Sequence, residues 1–546
     1  MGNQKKNTVL KQASVLAIAG LIVRIIGLLY RSPMKAIIGA EGSGYYGYAY
    51  NVYTIMLLIS SYSIPMAVSK VMAERLALKE YKNAQKVFRG ALLYVSIVGG
   101  IAGLIIFLFA GFLLPRGQEN AILALKVLAP TVLISGYLGV LRGYFQAHST
   151  MVPTSISQIV EQVVNALVSV LAAWFFTRSF VESSSKVAIY GAASGTLGTG
   201  AGVVFGLFFM LFVYKVNAKG IKRKLLRDRN DNEESYGEVF KIILMMVTPI
   251  IISTFVYNLS AYIDQTIFSN VLLSKGFKAK EIAVQYGIFS LQYMTMINIP
   301  VALASATSST MVPAISGNYA KRNIEGVIEK INEGTRFTMF LAIPATFGMG
   351  VLGVPLMKIL FPGSDAVLAG NYLSIGCISI VFYCLSTISN GILQSISKPI
   401  LPVKNAAIAL AINIVGLYLL LLFFPKMGIT AVILATVLYS VSICILNSLS
   451  IRKYLGYRNE WKKNYGIPIA SSIVMGLLVF GFYHVTALIL PSSYLGNLIS
   501  AGFSVLVGLF AYLIAYIVIG KVGAEELKKY PMGGKLVRVA RLLHLL

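Results

Sequence analysis

Apolar stretches long enough to cross a bilayer alternate with short polar breaks along nearly the whole chain. They run at roughly 9–38, 46–73, 91–114, 121–146, 152–177, 187–214, 239–271, 282–315, 337–361, 366–396, 403–424, 429–451, 467–488 and 495–519. A helix needs ~20 apolar residues to span hydrocarbon, so the pattern predicts about fourteen transmembrane helices and an all-α polytopic membrane protein. The loops between them are short and leave no soluble domain of the size that houses an enzyme. The longest polar stretch, 215–238, has KGIKRKLLRDRNDNEE at its centre. It follows the sixth segment and reads as a cytoplasmic linker whose basic end rests on anionic lipid. The expected divisions are a six-helix lobe at 1–216, a basic linker at 217–236, a second six-helix lobe at 237–452, an extra helix pair at 453–519 and a cytoplasmic tail at 520–546.

Composition agrees and adds a direction. The 546 residues are 57% hydrophobic and 12% charged, and a mean hydropathy of +0.76 exceeds what a soluble core requires. The formal charge of +27 is spread rather than clustered. Roughly two thirds of the Lys and Arg fall in the amino terminus, the even-numbered loops and the carboxyl tail, the bias that places both termini in the cytoplasm. The expected location is a bacterial plasma membrane, with membrane lipids and no nucleic acid among the partners. The amino terminus reads as a retained first helix, because Arg24 interrupts its apolar run and no small-residue cleavage site follows. Cys377, Cys384 and Cys444 lie in apolar segments and His148, His484 and His544 are scattered, so neither a disulfide nor a metal site is expected.

The candidate chemistry lies in the few charges at membrane depth. Arg24, Arg31 and Lys35 share one face of the first helix. A buried arginine costs ~2.5 to 3.5 kcal/mol on insertion scales, so such a stripe is expected to face a wet cavity and to meet an anionic substrate group. In the fifth segment Gln158, Glu161, Gln162 and Asn165 stand at i, i+3, i+4 and i+7, a polar face suited to sugar hydroxyls or to interhelical hydrogen bonds. Lys70, in SIPMAVSKVMAE, is within reach of the same cavity, whereas Arg142 is expected to snorkel from its helix end. Tyrosines such as those at 45–53 suit interfacial anchoring. Gly20, Gly27, Gly39, Gly42 and Gly44, with Pro33, predict a bend in the first helix and its outer end.

A repeat of the first half in the second is expected. Sliding the chain by 240 residues sets Lys35 on Lys275, Tyr46-Gly47 on Tyr286-Gly287, Tyr53 on Tyr293 and Ser69 on Ser309. Six helices per repeat return the chain to its starting side, so the repeats are expected to be parallel. The same shift sets Arg24 on Asp264, leaving Asp264 as a counter-charge to the basic stripe or as a site for a coupling H⁺ or Na⁺.

At RIIGLLYRSPM, IGAEGSGYYGYAYNVYTIMLLISSYSIPMAVSKVMAE and INIPVALASATSSTMVPAIS the sequence resembles the multidrug/oligosaccharidyl-lipid/polysaccharide exporter superfamily. The nearest branch holds the stage V sporulation protein B relatives and the Gram-positive lipid II flippases. The resemblance implies two six-helix repeats forming a V-shaped cavity, and a last helix pair with a groove for a polyprenyl tail. It also implies that Arg24 and Arg31 meet a lipid-linked diphosphate. The sequence departs from the Gram-negative flippases at Ser60 and Thr295, where further arginines would stand. The expectation is a non-enzymatic flippase for an undecaprenyl-diphosphate-linked glycan, foremost the peptidoglycan precursor lipid II, with cell-wall synthesis enzymes as possible partners. No Gly-rich ATP-binding loop is present, so an ion gradient (Na⁺ or H⁺) or the membrane potential would drive it without a cofactor. The alternatives are an ion-coupled multidrug exporter, which calls for an acidic rather than a basic first helix, and a polyprenyl-linked glycan polymerase or glycosyltransferase, which calls for catalytic carboxylates in an outer loop.

Overall fold

A computed structural model describes residues 19–20, 22–178, 183–226, 228, 234–363, 365–528 and 533–542. The chain is 90% helical and, among the described residues, has no strand. Among the described residues, ten helical runs are long and apolar enough to cross a membrane, and two sharply bent pairs raise the number to as many as twelve. The first predicted segment begins outside the described residues, and the seventh coincides with a continuous 39-residue helix. The chain is a multi-pass membrane protein.

Two compact units divide it, Met1–Gly287 and Ile288–Leu546. The first contains α1 (22–29), α2 (Arg31–Leu57), α3 (Ile64–Ala77), α4 (Tyr81–Leu113), α5 (Ile122–Ala147), α6 (Val152–Arg178), α7 (Ser184–Leu226), α8 (Tyr236–Ser274) and α9 (Ala279–Gly287). Its core joins α3, α4 and α5 through Ile64, Val68, Val87, Val95 and Leu141, and α8 closes it with Val239, Ile243 and Val247. The second unit holds α10 (Met294–Ala320), α11 (Ile324–Val351), α12 (Gly353–Leu360), α13 (Ala366–Gly376), α14 (Ser379–Ser395), α15 (Ile400–Phe423), α16 (Ile429–Leu455), α17 (Ile467–Ile489), α18 (Tyr494–Gly520), α19 (Ala524–Lys528) and α20 (Gly533–Leu542). There the extra pair α17 and α18 packs on α11 through Met475, Val479, Tyr512 and Tyr516 against Phe340. The bent pairs are α11 with α12, at 83°, and α13 with α14, at 52°.

Part of the expected linker is helix, since α7 runs on to Leu226. Two of its acidic residues are held at the α3–α4 turn. Asp228 accepts from the backbone of Lys82 at 2.7 Å, and Glu234 pairs with Arg75 at 2.7 Å. Ser235 then starts α8 in a reciprocal capping box with Glu238. The backbone and hydroxyl of Ser235 hold the Glu238 carboxyl below its ordinary range.

The bend predicted in the first helix has one origin. Gly39 sits at φ +70°, ψ −178° inside α2, a conformation that only glycine adopts readily. A Cβ there would meet nothing within 4 Å, so the demand is purely backbone. Gly39→Ala is therefore expected to lower stability by about 1–3 kcal/mol without any steric clash, seen as a lower thermal midpoint for the purified protein.

Candidate functional site

The first unit gathers several polar residues of its apolar helices into a cluster on α2, α5 and α6. Arg31 opens α2, partly buried, with the phenols of Tyr30, Tyr46 and Tyr50 as its electrostatic neighbours. Tyr46, Tyr50 and Tyr53 lie at i, i+4 and i+7, so one helical face carries three phenols. Tyr50 and Tyr53 in turn interact with Glu161 of α6. The phenols thus connect the basic stripe of the first segment to the polar face of the fifth.

Glu161 is itself engaged. Arg142 of α5 donates to its carboxylate at 2.6 Å and to Ser157 Oγ at 2.9 Å. The expectation that Arg142 snorkels is corrected here, because its fork is spent on α6. Interfacial anchoring likewise fails for Tyr46, Tyr48 and Tyr53, which are at most 4% exposed. Their spacing was the available signal for a packed face, and α5 hides in sequence which of its polar groups meets α6.

α6 can bring this face inward because α7 approaches it over glycines. A Cβ on Gly198 or Gly202 would strike the α6 backbone at Asn165 and Glu161. On the other side, Gly27 of α1 leaves 3.3 Å between its would-be Cβ and Gln162 Nε2. Asn165 accepts from Ser169 at 3.0 Å, and Gln158 and Gln162 are partly exposed.

The other predicted residues fall elsewhere. Arg24 is exposed on α1 with Tyr62 as its electrostatic neighbour, and among the described residues no carboxylate lies within 4 Å of it. Lys70 is exposed on α3, again with no ion-pair partner among the described residues. Asp264 is 3% exposed in α8 and accepts from Ser260 at 3.1 Å. Beside it Asn51 donates to Gln265 at 3.0 Å and to Tyr286 at 2.6 Å, a polar group that sequence reading did not anticipate. Tyr286 also stacks on Tyr48, with ring centroids 4.2 Å apart.

Arg31 and Arg142 against Glu161 leave the α2, α5 and α6 cluster cationic. Guanidinium groups flanked by phenols and amides form the donor set that takes a phosphate or diphosphate, with oxygen-bearing neighbours left for hydroxyls.

A helical, multi-pass membrane carrier is the class that this fold and this site define. Over residues 9–318, more than half of the chain, the sequence matches the family described as Polysaccharide biosynthesis protein, and the chain belongs to that family. Residues 249–419 also match the MatE family. Among curated proteins it is similar to Lipid II flippase MurJ of Bacillus subtilis (strain 168), 26% identical over 86% of this chain and 87% of that protein. It is also similar to Stage V sporulation protein B of the same organism, 24% identical over 97% and 99% of the two chains. Among solved structures, the inward closed conformation of Lipid II flippase MurJ shares the fold with a TM-score of 0.68 at 15% identity, covering 93% of this chain and 98% of the other. The class is that of transporters and flippases rather than enzymes.

Proposed function

We propose that this protein is a flippase that carries a polyprenyl-diphosphate-linked glycan from the cytoplasmic to the outer leaflet, with lipid II as its first candidate substrate. One observation carries the reading: a net cationic cluster of Arg31 and Arg142 against Glu161, faced by phenols and amides, sits within helices long and apolar enough to cross a membrane. A diphosphate cannot cross hydrocarbon unpaired, and fixed guanidinium groups supply the pairing. Arg31 would take the diphosphate, and Arg24 would meet it from α1. Gln158, Gln162 and the free face of Asn165 would accept the sugar hydroxyls, while the tail stays in the bilayer. Both termini would lie in the cytoplasm, and an ion gradient or the membrane potential would drive the cycle, with buried Asp264 as the candidate for H⁺ or Na⁺. The relatives' names support the lipid-linked glycan, and the MatE match makes a multidrug exporter the rival. Guanidinium groups at the site disfavour a cationic drug.

Reconstitution separates the two. Transfer of labelled lipid II across liposome leaflets is expected, and Arg31→Ala should slow it by roughly tenfold to a hundredfold, the value of a lost charge-assisted contact of ~1.5–3 kcal/mol. Arg31→Lys should recover part of that rate, since the charge returns without the bidentate fork. Undiminished transfer in the Arg24→Ala, Arg31→Ala double variant would overturn the assignment, and transport of an organic cation alone would favour the exporter.

A further inference from the structure

A cavity lies wholly within the second unit, between α11, α14, α16 and the start of α17, with a volume of about 870 Å³. Its walls are apolar along α11 from Ile331 to Phe347 and along α14 from Ile378 to Ile392. The α14 wall is ~21 Å long at 1.5 Å per residue. That is enough to cover one leaflet's hydrocarbon, ~15 Å or half of a core ~30 Å thick, with ~6 Å over for the headgroup region. On α16, Ile445 and Leu449 line it while remaining 56% and 57% exposed, so the cavity is a crevice open to the side.

One end is polar and built. Tyr457 donates to Asn332 at 2.7 Å, Asn459 to the Tyr465 hydroxyl at 3.0 Å, and Arg336 pairs with Glu460 at 2.8 Å. These contacts fix the 456–466 segment on α11, and they neutralise the Glu460 carboxylate. Arg458, Lys462 and Lys463 are exposed and, among the described residues, have no carboxylate within 4 Å. Lys462 lines the crevice mouth beside Trp461, which is 71% exposed. An apolar slot of leaflet depth, ending in an aromatic and a cation, is complementary to a lipid with a negative headgroup.

We propose that this crevice holds one anionic diacyl phospholipid, an acyl chain lying along α11 and α14 and the headgroup phosphate at Lys462. The site shares no residue with the Arg31 cluster and stands whether or not the protein flips a glycan lipid. A polyprenyl chain is far longer than the slot, which favours the ordinary acyl chain.

The test is native mass spectrometry of the delipidated full-length protein. Phosphatidylglycerol, phosphatidylcholine with the same chains, and polyprenyl phosphate are titrated separately and in competition. One phosphatidylglycerol should be retained in preference to phosphatidylcholine. Lys462→Ala should weaken its retention about fivefold, the contribution of one cation near an anionic surface. Ser448→Phe, which fills the slot from an exposed position, should remove the retained lipid and leave the thermal midpoint unchanged. Equal retention of both phospholipids would overturn the proposal, as would indifference to Lys462→Ala. Displacement by equimolar polyprenyl phosphate would overturn the choice of occupant.

Discussion

Gly44→Leu is expected to destabilise the protein by about 3 kcal/mol or more, the upper end of what overpacking costs, because it pushes against backbone and not against a movable side chain. At this point α2 and α9 touch main chain to main chain. A Cβ on Gly44 would overlap the carbonyl of Ala283, and one on Gly287 would overlap that of Ala40. Neither carbonyl can turn away without breaking helix hydrogen bonds. Even alanine is therefore too large at either position. The separation would also carry Tyr48 off Tyr286 and Asn51 off the Gln265–Tyr286 pair, and would stretch the Lys280–Glu41 ion pair at 3.2 Å. Thermal unfolding of the purified protein should show a steep loss for Gly44→Leu and Gly287→Leu. Gly100→Ala, where a Cβ would meet nothing within 4 Å, should leave the midpoint in place. Equal midpoints across all three would mean that the crossing is not held at these glycines.

Breaking the Arg142–Glu161 pair should have the next largest effect. The two side chains are 14% and 30% exposed, so the ~3–5 kcal/mol cost of orphaning a fully buried charge must be discounted, and about 2 kcal/mol is expected for Arg142→Met. Glu161→Gln should cost less, because the amide still accepts from the guanidinium. Charge reversal at both positions should recover a good part of the loss, which Arg142→Glu alone does not. The functional consequence has the same origin. Without Arg142, the carboxylate of Glu161 stands unneutralised near Tyr50, which also neighbours Arg31, and it should repel a diphosphate. The transfer rate should therefore fall in Arg142→Met more than in Glu161→Gln, even at a temperature where both are folded. The reverse order would show that the pair is only a brace.

Both predictions rest on features the sequence announced unevenly. The bend near Gly39 was visible as a run of glycines, because such a run is rare inside one helix, but only φ and ψ single out the residue that needs it. Arg31 and the polar face of the fifth segment were legible because helical periodicity groups them. For Arg142 the sequence points only to the headgroups, since a helix end gives no sign of what its neighbour offers. The tyrosines of α2 suit an interface by sequence alone, because an aromatic at a segment end is common in either role.

What the sequence determined by itself is therefore the solvent and the secondary structure. Hydrophobic runs of bilayer length leave the backbone no partner but itself, and so dictate helices whatever their neighbours do. The small number of charges inside those runs was equally plain, since each is costly in hydrocarbon. Which charges meet which was decided by packing alone. Glycines at Gly27, Gly198 and Gly202 let α1 and α7 close on α6. That approach sets Glu161 between Arg142 and the phenols of α2, which lie more than a hundred positions before it, a relation that no local pattern encodes.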